Sequence, residues 1–313
     1  MREIIVTAAN CGQRLDRFLL KHLDRAPRSF VQKMIRKRGV KLNDTKAAGN
    51  ETVREGDTVR IFLSDEVIAG LTAGKCVNPD AGSLHIIYED GNVLIVNKPP
   101  GVLSQPDSAE IRDSVADRAA LYLPPVCTPA VANRLDRNTS GCVAVGATNA
   151  ALAWLNRAFA EGDCEKMYLV LAAGDVREPF AVRVYLRKNS HKVAEVYAQP
   201  TDGAKYAVTE FEPMAAFRGC TLLRARPGTG RFHQIRASLK FAGYAVVGDA
   251  KYGDPRVNTD FRRAFGVTSQ LLHCESLTFT REDGLLGYLE GRKFRAELPE
   301  GFAGILQKYG VRV

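Results

Sequence analysis

The chain has no run of about 18 apolar residues, the minimum for a membrane-spanning helix, so no membrane partner is expected. Its opening residues, Met1 to Asn10, lack the basic-then-apolar order of a secretory leader. Cysteine is sparse: Cys11, Cys76, Cys127, Cys142, Cys164, Cys220 and Cys274 are scattered, odd in number and free of any Cys-x-x-Cys pair. That pattern excludes a disulfide scaffold and a zinc ribbon, and it predicts a cytoplasmic protein. The histidines (His22, His85, His191, His233, His273) show no metal-ligand spacing, so no metal is expected. Internal repeats and low-complexity tracts are also missing. Two nucleotide-binding signatures occur only as broken copies. Gly70-Leu-Thr-Ala-Gly74-Lys75-Cys76 is one residue short of a P-loop and has cysteine where a metal-binding hydroxyl belongs. Gly228-Thr-Gly230-Arg-Phe-His233 has histidine in place of the third glycine of a dinucleotide turn, although Asp249 lies at the spacing of a ribose-binding acid. No small-molecule cofactor is expected.

What is present is an ordinary soluble composition with a skewed charge. Apolar residues make up 45% and charged residues 25% of 313, which suits two folded domains at about 100–200 residues each. Lysine plus arginine is 44 against 35 acidic residues, a net charge of +9. The excess is concentrated, since residues 1–63 hold 14 basic and 7 acidic side chains and the remainder 30 and 28. A basic module joined to a near-neutral body predicts contact with a polyanion. A solvated surface kept soluble by its charge is the alternative.

Apolar spacing divides the chain. Leu15, Phe18, Leu19 and Leu23 form one stripe and predict a helix over 14–24. A second helix is expected over 28–38, with Ser29 and Gln32 as a capping box, Phe30, Met34 and Ile35 inward, and Gly39 as its stop. Its outer face carries Arg28, Gln32, Lys33, Arg36 and Lys37. Short strands follow at 40–43 and 58–63, so 12–63 reads as one small α+β unit. Residues 64–83 are rich in small side chains and weakly periodic, and read as a linker. In the body, 84–313, strands are predicted at 84–88, 93–97, 142–147, 166–172, 180–187, 193–198, 205–212 and 221–226. Helices are predicted over 112–123, about 152–162 and 232–242. Successive strands without intervening helices predict an α+β fold with a mixed, largely antiparallel sheet rather than a doubly wound one.

Three segments carry chemistry. In Asn133-Arg-Leu-Asp-Arg-Asn-Thr-Ser-Gly141 an extended backbone puts Arg134 and Asp136 on one side and Leu135 on the other. A carboxylate is thereby held beside Arg134 and Arg137; a salt bridge capping a turn is the other reading. In Glu165-Lys166-Met167-Tyr168, alternation places Lys166 and Tyr168 on one face. A cation beside an aromatic ring suits a stacked base next to a phosphate, and also an ordinary surface strand. In Pro227-Gly-Thr-Gly-Arg-Phe-His-Gln-Ile-Arg236 a glycine turn enters a helix N-terminus, where backbone N–H groups and Arg231 can meet a phosphate. Arg236, about a turn further in, can pair with a buried carboxylate.

Taken in order, Arg134-Leu-Asp-Arg-Asn-Thr-Ser-Gly141, Lys166-Met-Tyr168 and Thr229-Gly-Arg-Phe-His-Gln-Ile-Arg236 resemble the RluA family of RNA pseudouridine synthases. Tyr88-Glu-Asp-Gly-Asn-Val-Leu-Ile-Val-Asn-Lys-Pro-Pro-Gly101 and Val247-Gly-Asp-Ala-Lys-Tyr-Gly253 extend the resemblance over about 84–300. The basic unit, 14–63, is similar to an S4 RNA-binding domain. The resemblance implies a pseudouridine synthase catalytic domain behind an S4-like domain, isomerising uridine in structured RNA without ATP, nicotinamide or metal. Large-subunit ribosomal RNA is the favoured substrate. Transfer RNA, or a non-catalytic RNA-binding or ribosome-assembly protein on the same fold, are the alternatives. The resemblance also implies roles. Asp136 matches the catalytic aspartate, Arg134 the side chain that takes the place of the flipped-out base, Tyr168 the ring that stacks on the uracil, and Arg236 the partner of the aspartate. Arg137, Lys166, Arg231 and His233 are expected to contact RNA, as are Arg28, Gln32, Lys33, Arg36 and Lys37 of the S4-like unit. Asn133 stands where the family usually has histidine, and Gln105 differs from the commoner forms. A monomer is expected.

Overall fold

A computed structural model describes residues 1–8, 10–23, 26–72, 82–106, 113–124, 127 and 129–312. The first unit contains β1 (Arg2–Ile5), α1 (Leu15–His22), α2 (Arg28–Arg36), β2 (Val40–Leu42), β3 (Thr45–Lys46), β4 (Thr58–Ile61) and α3 (Asp65–Leu71). Its strands run in the order β1-β4-β2-β3, each pair antiparallel. Leu15, Phe18 and Leu19 of α1, with Val31, Met34 and Ile35 of α2, bury against Val40, Val59 and Ile61 of this sheet.

Several local expectations change here. Pro27 precedes α2 and its helix begins at Arg28 with no side-chain cap, so Ser29 already lies inside the helix and forms no capping box with Gln32. Phe30 packs half-buried against the first core, and Val31, not foreseen, is fully buried in it. Arg38, not Gly39, takes the left-handed backbone that ends the helix (φ 62°). Gly39 answers to space instead, because a Cβ there would lie 3.0 Å from Met34 Cγ and 3.1 Å from the Met34 carbonyl oxygen. The stretch read as a linker opens with α3, whose N-cap Ser64 accepts the Val67 N–H, and Ile68 joins the first unit's core. Residues 73–81 of that stretch, with the Gly74-Lys75-Cys76 end of the broken P-loop, lie outside the described residues, as does Arg112. β1 adds an unforeseen edge strand ahead of residue 12.

The body contains β5 (Ile86–Glu89), β6 (Val93–Lys98), α4 (Val115–Tyr122), β7 (Ala130–Val131), β8 (Ser140–Gly146) and α5 (Asn149–Glu161). It continues with β9 (Cys164–Ala173), β10 (Phe180–Lys188), β11 (Ala194–Tyr197), β12 (Lys205–Phe217), β13 (Cys220–Pro227) and α6 (Gln234–Phe241). β14 (Ala245–Val246), α7 (Pro255–Phe265), β15 (Leu272–Phe279), β16 (Lys293–Arg295) and α8 (Glu300–Lys308) complete it. One sheet runs β11-β10-β12-β13-β9-β15-β8-β6-β5, with β14, β16 and β7 paired beside β9, β15 and β8. Every pairing is antiparallel except that of β8 with β15. This is the mixed, largely antiparallel α+β sheet that the strand pattern predicts.

Three apolar cores sit on the sheet. Leu171, Leu222, Phe261, Phe302 and Leu306 belong to the one under α7 and α8. Of the other two, Leu94, Val143, Val145, Leu155 and Phe279 belong to one, and Val184, Phe211, Leu223, Ala237 and Leu239 to the other, under α6. Tyr168 of β9 packs against both. The two halves join where β8 meets β15, and the join is tight. A Cβ on Gly141 (φ 112°) would lie 2.1 Å from the Cys274 carbonyl oxygen, so glycine is required there. No helix among the described residues is long and apolar enough to cross a membrane.

Candidate active site

The loop that enters β8 is fixed at both ends. Leu135 is buried, and Ser104 clamps its backbone. The Ser104 hydroxyl donates to the Leu135 carbonyl (3.0 Å) and accepts its N–H (2.9 Å). Alternation then turns Asp136 outward, with its side chain 27% exposed. Lys98, buried at the end of β6, secures the far side. Its ammonium donates to the carbonyls of Pro99 (3.0 Å), Val102 (2.7 Å) and Arg137 (2.9 Å). Burial pushes the Lys98 pKa down to about 7, against the pull of the Asp136 charge. Lys98 thus staples the β6 turn to the Asp136 loop.

Arg236 of α6 bridges two carboxylates. Its Nη1 donates to Asp136 Oδ2 (2.7 Å), while Nε and Nη2 donate to Asp249 Oδ2 (2.6 Å) and Oδ1 (2.8 Å). Asp249 is fully buried and also accepts the N–H groups of Lys251 and Tyr252. Burial disfavours both charges, yet the hydrogen bonds outweigh it. The Arg236 pKa is raised further, and Asp249 is held below the ordinary carboxylate range. Asp249 is therefore an internal anchor. Its ribose-acid spacing is coincidental, because its oxygens face Arg236 and the local backbone.

Two more groups lie within electrostatic reach of Asp136, although Tyr168 does not line the hollow beside that carboxylate. His233 caps α6 in a left-handed backbone (φ 53°), with Nε2 3.8 Å from Asp136 Oδ2. Tyr168 lies opposite Cys274 in the β9–β15 register. Burial, then contact with the Cys274 thiol and the Asp136 charge, keeps its phenol protonated well beyond its usual range. Asp136, His233, Arg236 and Gln270 line an open hollow of about 200 Å³. A larger hollow of about 530 Å³ beside Glu275, Arg295 and Leu298 holds none of the sequence-predicted residues, so chemistry rather than size singles out the smaller one.

The remaining candidates divide. Arg134 is exposed and makes no ion pair among the described residues. Arg137 turns back, its Nε donating to the Gly101 carbonyl (3.0 Å). Lys166 is half-buried on the strand that carries Tyr168. The glycine turn is largely occupied with itself. Gln234 Oε1 takes the Thr229 hydroxyl (2.6 Å) and the Arg231 N–H (2.9 Å), and Arg231 Nε donates to the Tyr206 carbonyl (3.0 Å). The Arg231 N–H is thus unavailable to a phosphate. Arg28, Gln32, Lys33 and Arg36 on α2, and Lys37 at its C-cap, stand exposed and do not line the hollow. Asn133 supports β8 by donating to the Cys142 carbonyl (3.2 Å) and accepting the Ala144 N–H (2.7 Å). Sequence reasoning missed the positioning parts played by Lys98, Ser104, Asp249 and Tyr252. Lys98 left a signal as a cation shortly after the apolar run Val93-Leu-Ile-Val96, and Asp249 and Tyr252 lie in the Val247–Gly253 motif, whose acid spacing pointed to a different role.

The family model described as RNA pseudouridylate synthase matches residues 92–241, and the S4 domain model matches 13–59. The chain is similar to "Ribosomal large subunit pseudouridine synthase C" of Escherichia coli (strain K12). The two are 30% identical over 97% of this chain and 95% of that one. The protein of the same name from Haemophilus ducreyi is 30% identical over 86% and 84%. Among solved structures, human RNA Pseudouridylate Synthase Domain Containing 4 shares the fold at a TM-score of 0.58. It is 17% identical and covers 73% of this chain and 94% of its own. Human RNA Pseudouridylate Synthase Domain Containing 1 does so at 0.53, with 23% identity, 74% and 97% coverage.

Proposed function

The chain belongs to the RluA family of RNA pseudouridine synthases, with an S4 domain ahead of the synthase domain, and from that premise we propose that it isomerises uridine to pseudouridine in large-subunit ribosomal RNA. The observation that carries this reading is the Asp136 carboxylate, facing a hollow and held at 2.7 Å by a guanidinium that Asp249 fixes from behind. In the reaction the N1–C1′ bond breaks, the uracil turns and C5 bonds to C1′. The C5 proton leaves and N1 gains one, so nothing is oxidised or hydrolysed. The uridine must first leave its stack, at a cost of a few kcal/mol. Arg134, exposed and without an ion-pair partner among the described residues, fills the vacated space, and Tyr168 offers a neutral ring worth about 1–3 kcal/mol of stacking. The protein acts as a cytoplasmic monomer.

The test is tritium release from ribosomal RNA carrying 5-tritiated uridine, followed by pseudouridine mapping. Release from large-subunit RNA is expected. Release from transfer RNA alone would move the substrate assignment, and release from neither would end the proposal.

The first unit supplies affinity. Removing residues 1–72, α3 included because Ile68 belongs to that core, should weaken RNA binding and flatten its salt dependence. If Arg28, Lys33, Arg36 and Lys37 each meet a phosphate, the log–log salt slope should fall by about 3. An unchanged slope, measured by filter binding across a salt series, would place the electrostatic footprint in the body.

A further inference from the structure

We propose that His233 is a positioning residue that presents a neutral Nε2–H to Asp136 Oδ2, so that the carboxylate is held from two directions, by Arg236 and by the imidazole; this rests on the pseudouridine synthase reading. The hydrogen-bond chain provides for the tautomer that this requires. The Tyr252 hydroxyl accepts the Ala194 N–H (2.6 Å) and lies 2.9 Å from His233 Nδ1. With a lone pair engaged by that N–H, the hydroxyl proton is free to point at Nδ1. Nδ1 is then the acceptor and the ring proton sits on Nε2, the nitrogen that faces Asp136.

Packing holds the ring in that orientation. Phe232 stacks on it at 3.7 Å between centroids, and the Tyr252 ring meets it edge-on at 5.5 Å. The backbone points the same way. A left-handed conformation at a residue other than glycine costs about 1–3 kcal/mol, and such strain gathers where a side chain must be aimed. The separation of 3.8 Å is longer than a hydrogen bond. Shortening it by about 1 Å, as catalytic contacts do when substrate closes a site, gives a bond to a charged acceptor. Asp136 and Asp249 face the ring with negative charge, Arg236 and Lys251 with positive. Burial dominates and pushes the imidazole down to about 4, so it stays a neutral donor that does not compete with Arg236.

The test separates aim from structure. His233→Gly keeps the left-handed backbone and removes the ring, while His233→Gln restores an N–H at similar reach. With ribosomal RNA as substrate, His233→Gly should lower kcat by about 10- to 100-fold, the size of one hydrogen bond to a charged group, at unchanged KM. His233→Gln should recover most of that loss. Wild-type kcat should show no histidine inflection between about pH 5 and 8. Nitrogen-15 NMR of the free protein should show a protonated Nε2 and a bare Nδ1. Wild-type kcat in His233→Gly, no recovery in His233→Gln, a rise in KM instead (direct RNA contact), an inflection near pH 6.5 or a protonated Nδ1 would each overturn the proposal. A wild-type protein that forms no pseudouridine would instead reject the functional reading itself, and the NMR tautomer is read independently of it.

Discussion

Asp136→Asn should abolish pseudouridine formation, lowering kcat by at least about 10⁴-fold, the scale seen when a covalent nucleophile is removed. RNA affinity should stay within about threefold. Asparagine keeps the size of the side chain, and its amide oxygen can still accept from Arg236 Nη1. Only the negative charge is lost. Arg236 does not come adrift, because two of its three bonds run to Asp249. Of the residues lining the hollow, Asp136 is the only acid, so no neighbour substitutes for it. Removing an anion also removes a repulsion toward phosphate, so any change in affinity should be a gain. Tritium release and filter binding on one preparation decide the matter. Turnover within tenfold of wild type would take Asp136 out of the reaction.

The candidate site residues Asp136, Tyr168 and Arg236 were legible because each lies in a contiguous motif. Period-two alternation alone turned Asp136 away from Leu135, and the structure keeps that division. What holds them was not legible, because it is long-range. The resemblance paired Arg236 with Asp136, as the structure does, but nothing in the sequence pointed to Asp249 as its second carboxylate. Asp249 advertised a ribose site through its spacing, and only the fold reveals that its oxygens face the other way. β15 is buried on both faces and shows no alternation, so the strand that joins the two halves went unread. At the other end, small residues in 64–83 suggested a linker, yet Ser64 caps a helix and Ile68 finds the first core. Local propensity marks what breaks a pattern. It does not reveal a helix whose stability comes from a core built earlier in the chain.

Asp249→Ala should cost about 3–5 kcal/mol of stability, the usual loss when one partner of a buried ion pair is removed and the other stays charged. Arg236, only 7% exposed, would lose two of its three hydrogen bonds. The folded fraction should be inactive as well, since nothing would then set the angle at which Nη1 meets Asp136. Replacing both partners, Arg236→Met with Asp249→Leu, should regain much of the stability and none of the activity. Acid separates the contributions further. The folded imidazole of His233 titrates near 4, whereas an unfolded histidine takes its proton near 6.5, so wild-type stability should decline as pH falls between those values. Asp249, held below its unfolded value of about 3.9, adds stability that is present above that value and lost as pH falls through its folded one. Asp249→Ala should therefore keep the first decline and lack the second. Trp154, the only tryptophan and packed in the body's core, reports the urea midpoint across the pH series. A variant midpoint equal to wild type at pH 7 would mean that the Arg236 bridge does not hold the fold together.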